Sequence, residues 1–583
     1  MSLRAAAALD CRGFQSAGAV ENTAPPPVLS CPPGTIPPPV PQVACNRLEK
    51  EKDVKEEKTY PPEQTILHSI LSSQVRHLCS PCYTSLQPHE RIYSMVSGRA
   101  CQLCPLRDLR PDGFTEPFCD FLTNNPTIFH AVSHFKGQLS KAGFTELSTR
   151  DNWADKLEPG GRYFVTRNSS SLMAFTVGPD YVPGNGVAMI AGHIDALTAK
   201  LKPHSEKPNR AGYVELGVAQ YAGALDSTWW DRDLSIGGRV VVRDPETKKT
   251  TTRLVKVDWP IARVPTLAPH FGIGILGNNN KETEAVPIVG LESAEGEETL
   301  GQSGSFVSKQ PPRLVKLIAS QLRITDFSQI INWELELFDL QPATVGGMDK
   351  EFIFAGRIDD KLCSWAALQA LLLSAAKSKS TPNSSSSDSK DGVIKMVALF
   401  DDEEIGSLLR QGARGNFLPI TIERAVEALC SGSSSSTYGP GVLGQTYANS
   451  FLVSADVTHA VHPNFLSHYL EDHAPKLNAG ITICADSNGN MTTDAVSNSI
   501  LRRVGELVGQ TTQVFQIRND SRSGGTVGPA LSSAMGVRSA DAGIPQLSMH
   551  SIRATTGALD PGLGVKFFKG FLDNWEKVDG EWS

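Results

Sequence analysis

Four carboxylates stand in a row in LFDDEEIGS (Leu399–Ser407): Asp401, Asp402, Glu403 and Glu404, directly behind the apolar run VIKMVAL (Val393–Leu399). Adjacent like charges repel, and partial burial where a core strand ends raises the cost. A solvated strand end, or the acidic first turn of a helix, is the ordinary explanation for an isolated acidic run. The chemical explanation is a bound cation. Four further apolar runs bear on the choice, because each ends in potential metal ligands. VAMIAGHIDA ends in His193 and Asp195, EFIFAGRIDDKL in Asp359 and Asp360, SFLVSADVTHAVHPNF in Asp456 with His459 and His462 beyond, and IPQLSMHSIRATTG in His550. One such ending is uninformative. Five of them, offering His, Asp and Glu without Cys, point to a hard or borderline divalent metal.

The spacing of His193 and Asp195 lets the carboxylate accept the second ring N–H of the histidine. That fixes the tautomer and strengthens the imidazole as a ligand, so Asp195 reads as support rather than as a ligand itself. In the Glu403–Glu404 doublet, neighbouring side chains point in different directions. One glutamate can bind a metal while the other faces the water the metal activates and accepts its proton. The metal's charge also removes the repulsion that makes the run costly. The residues alone leave open which glutamate does which.

Such groups need a scaffold that brings strand ends together. From Gly186 onward strand-like runs alternate with helical ones, the pattern of an α/β fold. Open α/β sheets gather ligands at the carboxyl ends of their strands, and VIKMVAL reads as a buried strand of a mostly parallel sheet. From about Pro203 to Thr344 short pieces such as GRVVVRD and TTRLVKVDW predict a separate β-rich domain. The first hundred or so residues differ. TAPPPVLSCPPGTIPPPVPQV (Thr23–Val43) and the charge run EKEKDVKEEK predict a largely disordered extension. Within it the pairs Cys79/Cys82 and Cys101/Cys104, eighteen residues apart, match the spacing of a structural zinc site. The absence of hairpin signals around them favours a chance pairing.

At 583 residues the chain predicts two or three structural units. A net charge of -7 gives no basic footprint for nucleic acid and no polybasic membrane patch. No apolar run approaches bilayer length, and MSLRAAAALD is short for a secretory signal. Eight of the 11 cysteines fall at or before Cys119, which argues against a disulfide-held secreted fold.

AGHIDALTAKLKP, STWWDRDLSIGGRV, VPTLAPHFG, FAGRIDDKLCS, LFDDEEIGSLLRQGARG, SADVTHAVHPNF and SRSGGTVGPALSSAMGVRSADAGIPQLSMHSIRATTG together resemble the aspartyl aminopeptidase and vacuolar aminopeptidase I family of two-zinc metallopeptidases. The resemblance runs from about Pro117 to the C-terminus. It implies a mixed-sheet α/β catalytic domain with helices on both faces, formed by residues 115–203 and 345–583. A β-rich dimerisation domain, 204–344, would interrupt it, and residues 1–114 would be the extension. The resemblance also implies roles: Asp359 bridging two Zn2+, His193 and Asp456 completing one site, Glu404 and His550 the other, and Glu403 the general base. Asp195 would orient His193, His459 would contact substrate, and His270 would reach into a partner subunit's site. The Gly-rich Ser523–Pro529 would form a tight turn nearby. Mn2+ and Co2+ are expected substitutes for zinc. The implied assembly is a dodecamer built from dimers, acting on peptides in the vacuole or cytoplasm, with an autophagy-type delivery receptor as a further partner.

Two departures qualify the resemblance. Aspartyl-specific members carry a lysine and a tyrosine where this chain aligns Cys484 and Met491, so the charge-assisted contact to an acidic substrate is lost. Together with GITICADSNGNMTTDAV and GLGVKFFKGF, this places the chain nearer the fungal vacuolar branch, which prefers neutral, leucine-like N-terminal residues. The long extension also lacks the short amphipathic helical propeptide of that branch. The competing readings are an aspartate-preferring aminopeptidase, a related amidohydrolase or carboxypeptidase on the same scaffold, and a non-catalytic cargo or scaffold protein, whose signature would be lost ligands.

Overall fold

Strands covered on both faces carry apolar residues at nearly every position, and four runs of the chain meet that demand. In the computed structural model, Ile394–Phe400, Val187–His193, Phe451–Ser454 and Arg538–Gly543 lie side by side in that order, all parallel, at the centre of a nine-stranded sheet. The structure describes residues 110–582 except 272–279, 294–298, 378–390 and 432–436. The proline-rich stretch and the Cys79, Cys82, Cys101 and Cys104 pairs lie outside the described residues. Antiparallel neighbours flank the parallel centre on both sides, so the sheet is mixed.

Side chains alternate across the sheet. Ala188, Ile190, Val397 and Leu399 enter one core, and Met189, Ala191, Met396, Ala398 and Phe400 enter the other. The first core is closed by helices Thr115–Asn124, Ile128–Lys141, Ile358–Lys377, Ala495–Leu507 and Asp560–Asp579, through Phe118, Phe135, Trp365, Leu501 and Phe567. The second is closed by helices Phe417–Ser431 and Gly528–Met535, through Phe417, Ile422 and Leu531. Helices therefore cover both faces, as expected. Pro111–Phe114, assigned from sequence to the extension, already belongs to the fold: Phe114 is buried edge-on against Trp365.

A second, six-stranded sheet is antiparallel throughout, in the order Thr250–Lys256, Leu234–Arg243, Ile330–Asp339, Thr198–Glu206, Tyr213–Tyr221 and Ile288–Leu291. It has its own core, in which Trp229, Ile236 and Leu335 pack with Val315 and Ile318 of helix Pro312–Gln321. Its strands run from Thr198 to Asp339, against the 204–344 read from sequence. Phe352–Ala355 pairs with Thr344–Gly346 and Ala554–Gly557 in a small third sheet. No helix among the described residues is long and apolar enough to cross a membrane.

Candidate metal centre

Parallel strands release their chains at one edge, and the predicted ligands leave there. His193 ends its strand, Asp456 follows Phe451–Ser454 by two residues, and Glu403 and Glu404 open the short 3-10 turn after Ile394–Phe400. Asp402 takes a left-handed φ of 63° and Gly406 one of 93°, so the chain reverses tightly around the two glutamates. Asp359 arrives differently. The apolar run before it is a strand of the small sheet, and Asp359 sits in the first turn of helix Ile358–Lys377. His550 lies in the turn between Pro545–Gln546 and Ala554–Gly557.

Asp359 stands between two groups of candidate ligands. Its Oδ1 is 3.3 Å from His193 Nε2, which is itself 3.6 Å from Asp456 Oδ1. Its Oδ2 is 3.7 Å from His550 Nε2, which is 3.6 Å from Glu404 Oε2. Glu403 Oε2 lies 3.9 Å from His193 Nε2. Donor atoms of His193, Asp359 and Glu404 all fall within 4.8 Å of one another, as do those of His193, Asp360 and Asp456. Asp360, read from sequence as a potential ligand but given no specific part in either site, is fully buried, and its Oδ2 accepts the His193 amide at 3.4 Å.

Asp195 accepts from His193 Nδ1 at 3.2 Å. It also accepts from the Glu403 and Glu404 amides at 3.2 and 3.1 Å and from the Tyr221 hydroxyl at 2.7 Å. Sequence reasoning missed Tyr221, which comes from the second sheet and carries no motif spacing. It also missed Lys361, fully buried, whose Nζ donates at 2.7 Å to the carbonyl of Ile194, between His193 and Asp195.

The electrostatics of the cluster favour a bound cation. Burial alone would push the His193 imidazole down, yet Asp456, Asp195 and Asp359 around it raise its pKa well above the ordinary value. Burial, reinforced by Asp359, pushes Glu404 up to about 10. Burial, reinforced by Asp456, Asp195 and Asp359, pushes Glu403 up to about 8. Burial raises Asp456 as well. Buried carboxylates at such range do not ionise together unless a cation joins them. Glu404 Oε1 is buried with no hydrogen-bond partner among the described residues. Imidazole and carboxylate donors facing inward, with an oxygen to spare, fit zinc.

The cluster opens into a cleft of about 380 Å³. His193, Asp359, Glu403, Glu404, Asp456 and His550 line its floor, and Met491, Phe515, Ile517 and Met549 form an apolar wall. His459 stands in the cleft, with burial lowering its pKa, and Ser523–Thr526 of the Gly-rich segment forms part of the rim. Of the two residues aligned with specificity positions, Met491 lines the cleft, but Cys484 does not: it is buried, its thiol against Thr458 Oγ1 at 3.4 Å. His270 is exposed in the short turn Pro269–Phe271 of the β-rich region and is not part of the cleft lining.

The family of the aminopeptidase I zinc metalloprotease (M18) matches residues 121–572. Vacuolar aminopeptidase 1 of Saccharomyces cerevisiae is 42% identical over 479 residues, covering 81% of this chain and 90% of the relative. An aspartyl aminopeptidase of Aspergillus oryzae is 39% identical over 487 residues, covering 79% of this chain and 96% of the relative. A solved structure of Chaetomium thermophilum mApe1 superposes with a TM-score of 0.74 at 64% identity, covering 81% of this chain and 100% of that one. The S. cerevisiae mApe1 dodecamer superposes with a TM-score of 0.71 at 38% identity, covering 81% and 99%. With a match of this extent and a zinc-compatible cluster at the strand ends, the chain belongs to the aminopeptidase I zinc metalloprotease family, M18, and is a metalloaminopeptidase.

Proposed function

We propose that the enzyme uses two zinc ions per subunit to remove neutral, leucine-like residues from peptide N-termini. The observation that carries the reading is the Asp359 carboxylate, whose two oxygens face two separate ligand pairs. His193 and Asp456 would hold one ion, Glu404 and His550 the other, and Asp359 would serve both, with Mn2+ or Co2+ able to substitute. When bound, the ions lower the pKa of a water and polarise the scissile carbonyl. Glu403 takes the proton from the attacking water at its carboxylate and returns it to the departing amine. Asp195 accepts the Nδ1–H of His193, leaving Nε2 free to ligate.

The apolar wall of Met491, Phe515, Ile517 and Met549 supports the neutral preference, since burying a leucine side chain contributes about 2 kcal/mol. His459 would touch substrate from within the cleft. Cys484 sits beneath Thr458 and would shape that surface from below. One observation favours the aspartate-preferring alternative: Arg414 lines the cleft, where it is the only Lys or Arg among the described residues. Hydrolysis of leucine- and aspartate-p-nitroanilide tests the choice, and faster cleavage of the aspartate substrate would overturn the neutral assignment.

We further propose assembly into a dodecamer built from dimers through the β-rich region, where Trp259, Leu267 and Phe271 expose 47%, 47% and 70% of their surface. In that arrangement His270, beside Phe271, would complete a neighbouring subunit's site. Light scattering that gives a monomer at micromolar concentration would refute it. The family resemblance supports a place in the vacuole or cytoplasm and an autophagy-type delivery receptor. A purely structural role finds no support, because every expected ligand is present.

A further inference from the structure

Asp195 does more than orient one imidazole. Its Oδ1 accepts from His193 Nδ1 and the Glu403 amide, and its Oδ2 from the Glu404 amide and the Tyr221 hydroxyl. One carboxylate thus fixes the strand end that carries a histidine ligand and the turn that carries both catalytic glutamates. Three of the four donors belong to the groups being positioned, so they cannot serve as an independent reference. The fourth, and the shortest at 2.7 Å, is Tyr221.

Tyr221 is the last residue of strand Tyr213–Tyr221, in the six-stranded sheet rather than the sheet that carries the ligands. It is 7% exposed, and the Lys200 ammonium, from the adjacent strand, lies 3.9 Å over its ring. Its hydroxyl also approaches Asp402 Oδ1, at a longer 3.5 Å. The ring is therefore held from a second body of the fold, while the hydroxyl reaches into the first.

We propose that Tyr221 is a positioning residue of the metal centre, holding the Asp195 carboxylate in the one orientation that serves His193, Glu403 and Glu404 together. The torsion that turns a carboxylate is broad, so lost bonds free it to rotate. Without the phenol, Oδ2 keeps a single donor, and a buried oxygen that loses a partner seeks another. Rotation of Asp195 would release the Nδ1–H of His193 and let Nε2 swing. Partners that hold a ligating histidine in this way change metal affinity by about 10–100-fold. Tyr221 acts through Asp195, which places the expected loss at about 10-fold.

The inference rests on His193 and its neighbours being metal ligands, and its test does not depend on catalysis. Full-length wild type, Tyr221→Phe and Tyr163→Phe are titrated with zinc against a chromophoric chelator, and each is melted after stripping with chelator. Tyr163 is also buried and its hydroxyl accepts the Glu158 amide at 3.0 Å, but it does not line the cleft. The expected result is about 10-fold weaker zinc binding in Tyr221→Phe alone, with stripped-protein melting no lower than in Tyr163→Phe. Unchanged zinc affinity, an equal loss in both variants, or a Tyr221→Phe protein that does not fold would each overturn the assignment. Wild type that binds zinc but cleaves no peptide would defeat the proposed function and leave this measurement standing. Wild type that binds no zinc would defeat both.

Discussion

Gly543→Ala should disable the centre without touching any group that reacts. Gly543 ends the strand Arg538–Gly543, and its backbone lies against that of Asp456. A Cβ at this position would stand 1.5 Å from the Asp456 carbonyl oxygen and 2.6 Å from its carbonyl carbon. Opening the oxygen contact to a tolerable separation of about 3 Å requires a backbone shift of roughly 1.5 Å, on the residue proposed to supply a metal-binding carboxylate. Neither backbone can yield cheaply: Asp456 follows a fully buried strand, and Gly543 pairs with Thr482. Overpacking of this kind costs about 1–3 kcal/mol, and a displacement of about 1 Å at a catalytic centre costs on the order of 100-fold in rate. The assay is kcat/KM on leucine-p-nitroanilide together with bound zinc, measured on protein that keeps its far-UV spectrum. A folded Gly543→Ala enzyme with wild-type kcat/KM would refute the reasoning, because Asp456 would then not need to be where it is.

Three further outcomes follow from buried groups. Asp339, 2% exposed, holds Arg232 at 2.9 Å and Arg553 at 3.0 Å and so ties the second sheet to the chain just after His550. Asp339→Ala leaves both arginines without it and should cost about 3–5 kcal/mol, seen by calorimetry as a melting temperature lower by about 5 °C. Asp573 shows the opposite balance: burial would raise its pKa, but Lys569 and the Ser374 hydroxyl hold it below the usual value. Its stabilisation is present above the unfolded carboxylate value of 3.8 and is lost as pH falls through the folded one. Acid unfolding curves of wild type and Asp573→Asn should therefore converge below about pH 4, and parallel curves would contradict the ion pair. Asp541, 1% exposed, accepts from Thr526 Oγ1 at 2.6 Å and from the Thr492 amide and hydroxyl at 2.5 and 2.8 Å, joining the rim at Thr526 to the loop after Met491. Asp541→Ala should loosen that wall and raise KM for leucine substrates by about 10-fold, more than it lowers kcat, since about 1–3 kcal/mol of packing order is lost. An unchanged KM would remove Asp541 from the account.

The floor of the candidate centre was legible because its proposed ligands follow strands buried on both faces. Such strands are continuous apolar runs, so the polar residues that end them stand out, as His193, Asp456 and Glu403–Glu404 do. Asp359 was picked out by the same pattern, although its strand belongs to the small sheet and a helix turn presents it. What could not be read were the groups that meet only through tertiary packing. Tyr221 and Asp195 are 26 residues apart, and Lys361 reaches the Ile194 carbonyl across 167; neither pair has any periodic signature. Cys484 shows the limit of positional alignment. The strand Thr482–Cys484 is buried at all three residues, so its side chain packs under the cleft, while Met491, in the loop beyond, reaches the surface. The β-rich region was recognisable from its short alternating runs. Its boundary was not, because the strand Thr198–Glu206 begins only a few residues after the His193–Asp195 turn.

In the proposed mechanism Glu403 moves the proton while its neighbours hold the metal. The most direct test is leucine-p-nitroanilide hydrolysis by Glu403→Gln, with zinc assayed on the same preparations as wild type. Wild-type zinc content is expected, with a rate lower by about 10²–10⁴-fold, the span of a lost general base. A variant that keeps its zinc and its rate would contradict it.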